Sequence, residues 1–326
     1  MSLQPASVSI DLDNLWCYLK TQGEPGWETF PSYLDQVTPR ILQRLERAGI
    51  KATFFIVGRD ASRVENWSAL RSIADAGHEI ANHSFDHDVS LSGFSRHELH
   101  RDFSRSEAAI QDATGQMPIG FRGPGFCMSA LMKEVLFHRG YKYDASSLPT
   151  FLGPVARLYF YFFSKLSAEE KKKRSSLYGG VAGAFRKLRP HAIEGDFMEV
   201  PVTTMPLARV PMHLSYLLFL AQQSEALAGL YWQTAVGLCR VAGVGPSLLL
   251  HPTDFLDAND VPEMDFFPAM RMPADRKMAM VDLTLQSLTC YWQTGTVADH
   301  AQAHLPAEAL RPLFAEEVPV TASFSA

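Results

Sequence analysis

A single α/β barrel, with seven parallel strands closed or nearly closed on themselves and helices outside, is the fold this sequence predicts. Three observations carry that expectation. Short apolar runs of β type alternate with amphipathic stretches along most of the chain, and such alternation implies a parallel sheet with helical crossovers. The 326 residues exceed the usual domain size but fit one large barrel with insertions. Polar residues recur where the predicted strands end, and in a parallel barrel all strand C-termini meet at one rim.

The elements follow in order. The strand at 6–11 leads to a helix at 36–48, and the strand at 52–57 to a helix at 61–76. After a third strand, 79–82, Ser95 and Glu98 form a capping box opening a helix that runs to about Thr114, before Gly115. Strands at 119–122 and 142–145 flank a helix at 129–139, and two further strands lie at 197–202 and 247–250. The uncharged runs 210–224 and 226–239 are shorter than the roughly 20 residues of a membrane span and read as buried helices. No internal repeat is apparent, which excludes a solenoid or propeller. One domain over 1–316 and a disordered tail at 317–326 are expected.

Composition narrows the class. With 47% apolar and 20% charged residues, the chain sits near the globular average, which excludes collagen-like and disordered classes. Four scattered cysteines without C-x-x-C spacing suggest neither a disulfide framework nor a thiolate zinc knuckle, and free thiols fit the cytosol. The N-terminus has no basic region followed by an apolar stretch, so no signal peptide is expected.

The strand ends carry the chemistry. Asp11 and Asp13 close the first strand, His83 follows the third, Arg122 ends the fourth, Asp144 the fifth, and His251 follows the seventh. Each alone is commonly a solvated Asp, a satisfied core His or a surface Arg; their repetition at one rim is what points to a site. Asp11 and Asp13, two apart on a strand, share a face, and two such carboxylates repel unless a cation neutralises one. In HSFDH, His83 and His87 stand four apart, one turn of helix, so both imidazoles can meet one ion. Two His and one Asp leave coordination positions open, as in a catalytic metal site. Zinc is the default ion; iron, cobalt or nickel suit the same donors.

In this order SIDLDN, HSFDH, FRGPGF, KYDASSLP and LLLHP resemble the five motifs of the polysaccharide deacetylases, the NodB-homology or carbohydrate esterase family 4 superfamily, across residues 8–252. The resemblance implies a distorted seven-stranded (β/α) barrel. It also implies that Asp11 is the catalytic base, that Asp13, His83 and His87 hold the metal, that Arg122 braces the base, that His251 is the general acid, and that Asp144 tunes that histidine. Two features depart from the classical pattern: D-L-D replaces adjacent aspartates, and R-G-P-G-F lacks the bulky residue before glycine. The spaced form is similar to members acting on lipid-linked aminosugars, including deformylases, and to others that open cyclic amides or ureides. The implied activity is metal-dependent removal of an N-acyl group, acetyl or formyl, from an aminosugar; a cyclic-amide hydrolase and a non-catalytic glycan-binding barrel are the alternatives.

The net charge of −5 is uneven. Residues 151–191 carry nine Lys or Arg against two Glu, a local +7 on a remainder of −12. This insertion between the fifth and sixth strands, 151–192, opens with an aromatic run, FLGPVARLYFYFF, and continues into EEKKKR. Such a composition suits an anionic membrane surface or a polyprenyl chain; a helix packed on the barrel and an oligomer contact are the other readings. Nucleic acid is disfavoured, because the remainder is acidic and no binding motif occurs. A cytoplasmic protein, peripheral to the inner membrane, is expected.

Overall fold

The computed structural model describes residues 3–153, 165–167, 169, 183 and 185–306. Most of the basic and aromatic insertion, including Phe160, Phe162, Phe163 and the Lys171 to Arg174 run, and the tail at 317–326 therefore lie outside the described residues. All seven expected strands form and belong to one sheet: β1 (Pro5–Asp11), β2 (Thr53–Ile56), β3 (Glu79–Asn82), β4 (Gly120–Phe121), β5 (Tyr143–Asp144), β7 (Phe197–Glu199) and β8 (Ser247–Leu250). They pair in parallel in the order β7-β5-β4-β3-β2-β1-β8. The two ends are drawn together just past β7, where Thr203 N donates to Ser247 O at 3.0 Å and Ser247 N donates to Thr203 Oγ1 at 2.7 Å. The sheet is thus curled into a barrel without a closing ladder.

Two strands were not expected. β6 (His191–Glu194) runs antiparallel to β7, and β9 (Gln293–Gly295) pairs with the start of β1. Ser7 pairs with both Ser247 and Gly295, so β9 takes the edge of β1 that β2 occupies further along.

Side-chain alternation along β1 sorts the molecule into layers. Ala6, Val8, Ile10 and Leu12 face outward into the main apolar core. There they meet α1 (Leu15–Gln22), α2 (Leu34–Ala48), α7 (Leu214–Gln223), α8 (Glu225–Ala242) and α9 (Ala274–Tyr291). Burying these helical faces supplies most of their stability, at roughly 25 cal/mol per Å² of apolar surface. Ser7, Ser9 and Asp11 face the barrel interior, where Phe55, Ala81, Tyr143 and Met198 fill the lower part. A short helix, α10 (Val297–Gln302), lends Val297 and Ala301 to that layer. Two more helices cover the β3–β5 side: α5 (Arg96–Thr114), which starts at the Ser95–Glu98 capping box, and α6 (Ala130–His138). The expected 61–76 helix is interrupted: α3 (Gly58–Ala61) and α4 (Trp67–Asp75) are separated by a 3₁₀ turn.

One glycine is fixed by this interior. Gly120 faces inward opposite Tyr143, and a Cβ there would stand 1.9 Å from the ring's Cζ. Only the absence of a side chain lets the tyrosine lie across β4 and donate to Glu79 at 2.7 Å.

Candidate active site

The rim gathers three groups of polar side chains. The first is an ion pair. Arg122 is fully buried, and its Nη1 donates to Asp11 Oδ1 at 2.6 Å and to Ser9 Oγ at 3.0 Å. Its Nε donates to Ala145 O at 2.9 Å, and the guanidinium lies 4.1 Å over the Phe55 ring. Nη1 and Nε of the planar cation are thus engaged, which fixes one oxygen of Asp11.

The second group is Asp13, His83 and His87, all buried, with potential ligand atoms within 4.8 Å of one another. Both imidazoles turn Nε2 toward the same oxygen, at 3.4 Å from His83 and 3.1 Å from His87 to Asp13 Oδ1. His83 Nδ1 lies 2.7 Å from Arg122 O. A carbonyl can only accept, so Nδ1 carries the proton and Nε2 offers its lone pair. Burial works to raise the Asp13 carboxyl, but His87 and His83, when protonated, outweigh it and hold it well below the usual carboxylate range; with both rings neutral, a bound cation would take over that role. Two nitrogen donors and one ionised oxygen donor converging on one point fit a divalent ion.

His83 and His87 do not lie on a helical turn as their spacing suggested. Ser84 and His87 take positive φ values of 64° and 47°, a loop conformation held by tertiary bonds. Asp102 on α5 accepts Phe85 N with both oxygens, at 3.1 and 3.2 Å, and Asn82 Oδ1 accepts Ser84 N at 2.9 Å. Gly58 N and Arg59 N donate to the carbonyls of Ser84 and Phe85. Burial pushes the Asp102 carboxyl up to about 7.

Asp13 is pinned by neighbours that sequence reasoning missed. Asn14 caps α1, accepting Leu15 N and Tyr33 N, and donates to buried Asp60 at 2.8 Å. Asp60 also takes the Trp16 indole N–H at 2.8 Å, and Tyr33 OH donates to Asp13 O. An Asn directly before a helical run was the available signal.

His251 forms the third group. Its Nδ1 is 3.2 Å from Ser215 Oγ on α7. Ser215 Oγ is 2.9 Å from Asp254 Oδ1, and Asp254 Oδ2 accepts His251 N at 2.8 Å. His213 packs beside it with ring centroids 6.3 Å apart; burial, then the charges of His251 and Arg122, push His213 down to about 3, so it is neutral. Buried Lys277 anchors the turn by donating to Thr253 O at 2.8 Å and Leu256 O at 2.5 Å.

Asp144 is not where the resemblance would put it. It pairs in register with Phe121 and Glu199, and Phe121 packs outward against α5 and α6. Strand parity therefore sends Asp144 to the outer layer, while the inward positions go to Arg122 and Ala145. Its Oδ1 accepts Ser146 N at 2.9 Å and Ser146 Oγ at 2.5 Å, and it lines a cavity of about 270 Å³ with Lys133, Arg186 and Glu199. Burial pushes it up to about 6. The partner the resemblance assigned to His251 is replaced by Ser215 and Asp254.

A polysaccharide deacetylase family profile matches residues 21–143, the stretch that carries His83, His87 and Arg122. Over that stretch, well under half of its length, the chain is similar to the polysaccharide deacetylase family. A peptidoglycan-N-acetylglucosamine deacetylase of Listeria monocytogenes is 34% identical over 88 residues, covering 27% of this chain and 18% of that protein. A peptidoglycan deacetylase of Helicobacter pylori is 31% identical over 109 residues, covering 33% and 36%. The matches thus span well under two thirds of these curated relatives. A putative polysaccharide deacetylase from Mycobacterium smegmatis superposes with a TM-score of 0.60 at 19% identity, over 94% of this chain and 93% of that one, which shows the shared fold. Asp11, Asp13, Asp144 and His251 lie outside the profile match.

Proposed function

We propose that this chain acts as a deacetylase-type, metal-dependent amidohydrolase that removes an N-acyl group from an aminosugar. The observation that carries the proposal is the convergence of Asp13, His83 and His87 within 4.8 Å beside the Arg122–Asp11 pair. A divalent ion, zinc by default, held by the triad would polarise the amide carbonyl and acidify water. Asp11, kept in place by Arg122, takes the proton of the attacking water as general base. His251 delivers a proton to the departing amine, which is a poor leaving group otherwise. In the turn after Arg122, Pro124 has no N–H and Phe126 N bonds to Gly123 O, so Gly125 supplies the N–H for the developing oxyanion. The products are a free amine and a short carboxylic acid.

Acetyl and formyl are the candidate acyl groups, and a sugar on a lipid-phosphate carrier is the candidate substrate. The D-x-D spacing supports that finer reading, and so does the surface composition. Phe185 and Leu207 are 87% and 88% exposed, and beside them Arg209 donates to Arg186 O at 3.0 Å. Apolar tips among arginines suit an anionic bilayer surface. Among the described residues no helix is long and apolar enough to cross a membrane.

The test is amine release from N-acetyl and N-formyl aminosugars by chelator-treated protein before and after zinc is restored. Release that requires the ion supports the reading; none from any such substrate by ion-loaded protein refutes it. Mass spectrometry of lipid-linked saccharides in cells carrying Asp11→Asn separates the substrates, since a lipid-linked N-acyl sugar should accumulate. Binding to anionic vesicles, lost in Phe185→Ser/Leu207→Ser, tests the surface.

A further inference from the structure

We infer that Asp254, acting through Ser215, fixes the His251 tautomer with its proton on Nδ1, so that Nε2 is the nitrogen that hands a proton to the leaving amine. This rests on the reading of His251 as general acid. The argument is a count of donors and acceptors. Asp254 Oδ2 accepts the His251 backbone N–H at 2.8 Å, and Oδ1 faces Ser215 Oγ at 2.9 Å. An ionised carboxylate can only accept, so the single Ser215 proton points at Asp254. Ser215 Oγ, 3.2 Å from His251 Nδ1, then has only lone pairs to offer, and Nδ1 must supply the hydrogen.

The charged neighbours favour that state. Lys277 lies close enough to Asp254 to favour its carboxylate, as does His251 itself, although burial acts first and pushes the Asp254 carboxyl up. Against the imidazole itself stands the neutral ring of His213; Arg122, the nearby cation whose charge acts on His213, is paired with Asp11. Asp144 cannot substitute, because parity turns it to the outer layer, where Ser146 occupies its Oδ1. Ser215 and Asp254 are therefore positioning residues: neither touches the reacting atoms, but each decides which ring nitrogen holds the proton. They sit on α7 and on the 3₁₀ turn Pro252–Asp254, elements that meet only in the folded barrel.

Substituting Asp254→Asn makes the count sharp. Its carbonyl would stay on the His251 N–H, which leaves the amide NH₂ facing Ser215. Ser215 must then donate to Nδ1, and the ring changes to the Nε2–H tautomer. A wrong tautomer in an otherwise intact site lowers the turnover of a Ser-His-Asp triad by on the order of 10⁴.

The experiment is a long-range ¹H–¹⁵N correlation on zinc-loaded protein with labelled histidine, with His251 assigned by comparison with His251→Gln. In the neutral ring, the wild type and Asp144→Asn should show the Nδ1–H pattern, and Asp254→Asn the Nε2–H pattern. Ser215→Ala should lose the pure Nδ1–H pattern, and Ser215→Thr should restore it. On an amide substrate, Asp254→Asn and Ser215→Ala should lower kcat by on the order of a hundredfold or more, with KM held within about twofold. An ester with a phenolate leaving group should be spared. An unchanged tautomer in both variants, or a change in Asp144→Asn, overturns the inference. If the protein hydrolyses no amide at all, the general-acid reading fails while the tautomer measurement still decides the role of Asp254.

Discussion

Replacing Arg122 by Met tests how the barrel interior tolerates the Asp11 carboxylate without its buried partner. The guanidinium makes three hydrogen bonds, to Asp11, Ser9 and Ala145 O, and is fully buried. Losing it strands the Asp11 carboxylate out of water, and breaking a buried pair from one side costs about 3–5 kcal/mol. Ser9 and Ala145 O add the cost of lost partners, roughly 1 kcal/mol each. Removing the stranded charge as well should relieve most of the penalty, so Asp11→Asn/Arg122→Met should be more stable than Arg122→Met alone by about 2 kcal/mol or more. Urea unfolding of the four proteins of this cycle, with zinc present throughout, measures the coupling. A single Arg122→Met cost below about 1 kcal/mol, or simple additivity across the cycle, would refute the reasoning that this pair is a desolvated, mutually dependent unit.

The remaining expectations are shorter. Purified protein should hold about one divalent ion per chain by elemental analysis; His83→Ala or His87→Ala should lose it together with activity while staying folded, and full hydrolysis by the double variant would remove the metal chemistry. Asp11→Asn should keep the ion and lose several orders of magnitude in rate, whereas Asp13→Asn should lose the ion itself; equal ion loss in both would exchange their roles. Gly120→Ala should cost about 3 kcal/mol or more, because its Cβ meets the Tyr143 ring, and an unchanged melting temperature would contradict the packing. Asp144, pushed from 3.8 to about 6 by burial, favours the folded state below its unfolded pKa and loses that contribution as pH rises through 6. Asp144→Asn should therefore stabilise the protein at pH ~8 by up to about 3 kcal/mol, with the gain vanishing near pH ~4; a gain independent of pH would sink that account.

The parts of this molecule that could be read from residues alone are those governed by local pattern. Runs such as TFFI and SLLL, buried on both faces, could hardly be anything but interior strands, and the Ser95–Glu98 box marked its helix start to the residue. β9 escaped because its QTG has no apolar pattern at all; it is a strand only because β1 has an edge to fill. HSFDH misled on geometry though not on convergence: its i, i+4 spacing suits a helix, but Asp102, seventeen residues on, takes the Phe85 N–H that a helix would have used otherwise. Asp144 misled through parity, since neighbouring positions on a two-residue strand face opposite layers. Asp254 was overlooked although His251-Pro-Thr-Asp254 has the spacing of a capping box, a signal that is easily passed over when the first residue is not Ser or Thr.

The alternation along β1 makes assembly of the site self-checking. Sliding this strand by one position against β2 and β8 would bury Ser7, Ser9 and Asp11 among the helices and turn Val8, Ile10 and Leu12 onto Arg122, a state with stranded charges on both sides. Misregistered molecules are therefore rejected by the same energetics that hold the core, and any chain that has folded has Asp11 and Asp13 already in line. Among molecules folded in register, the expected variable is the ion occupancy of the Asp13–His83–His87 triad. Specific activity should rise in proportion to ion content, along a line that passes through the origin, whatever fraction of the chains was lost on the way to the native state.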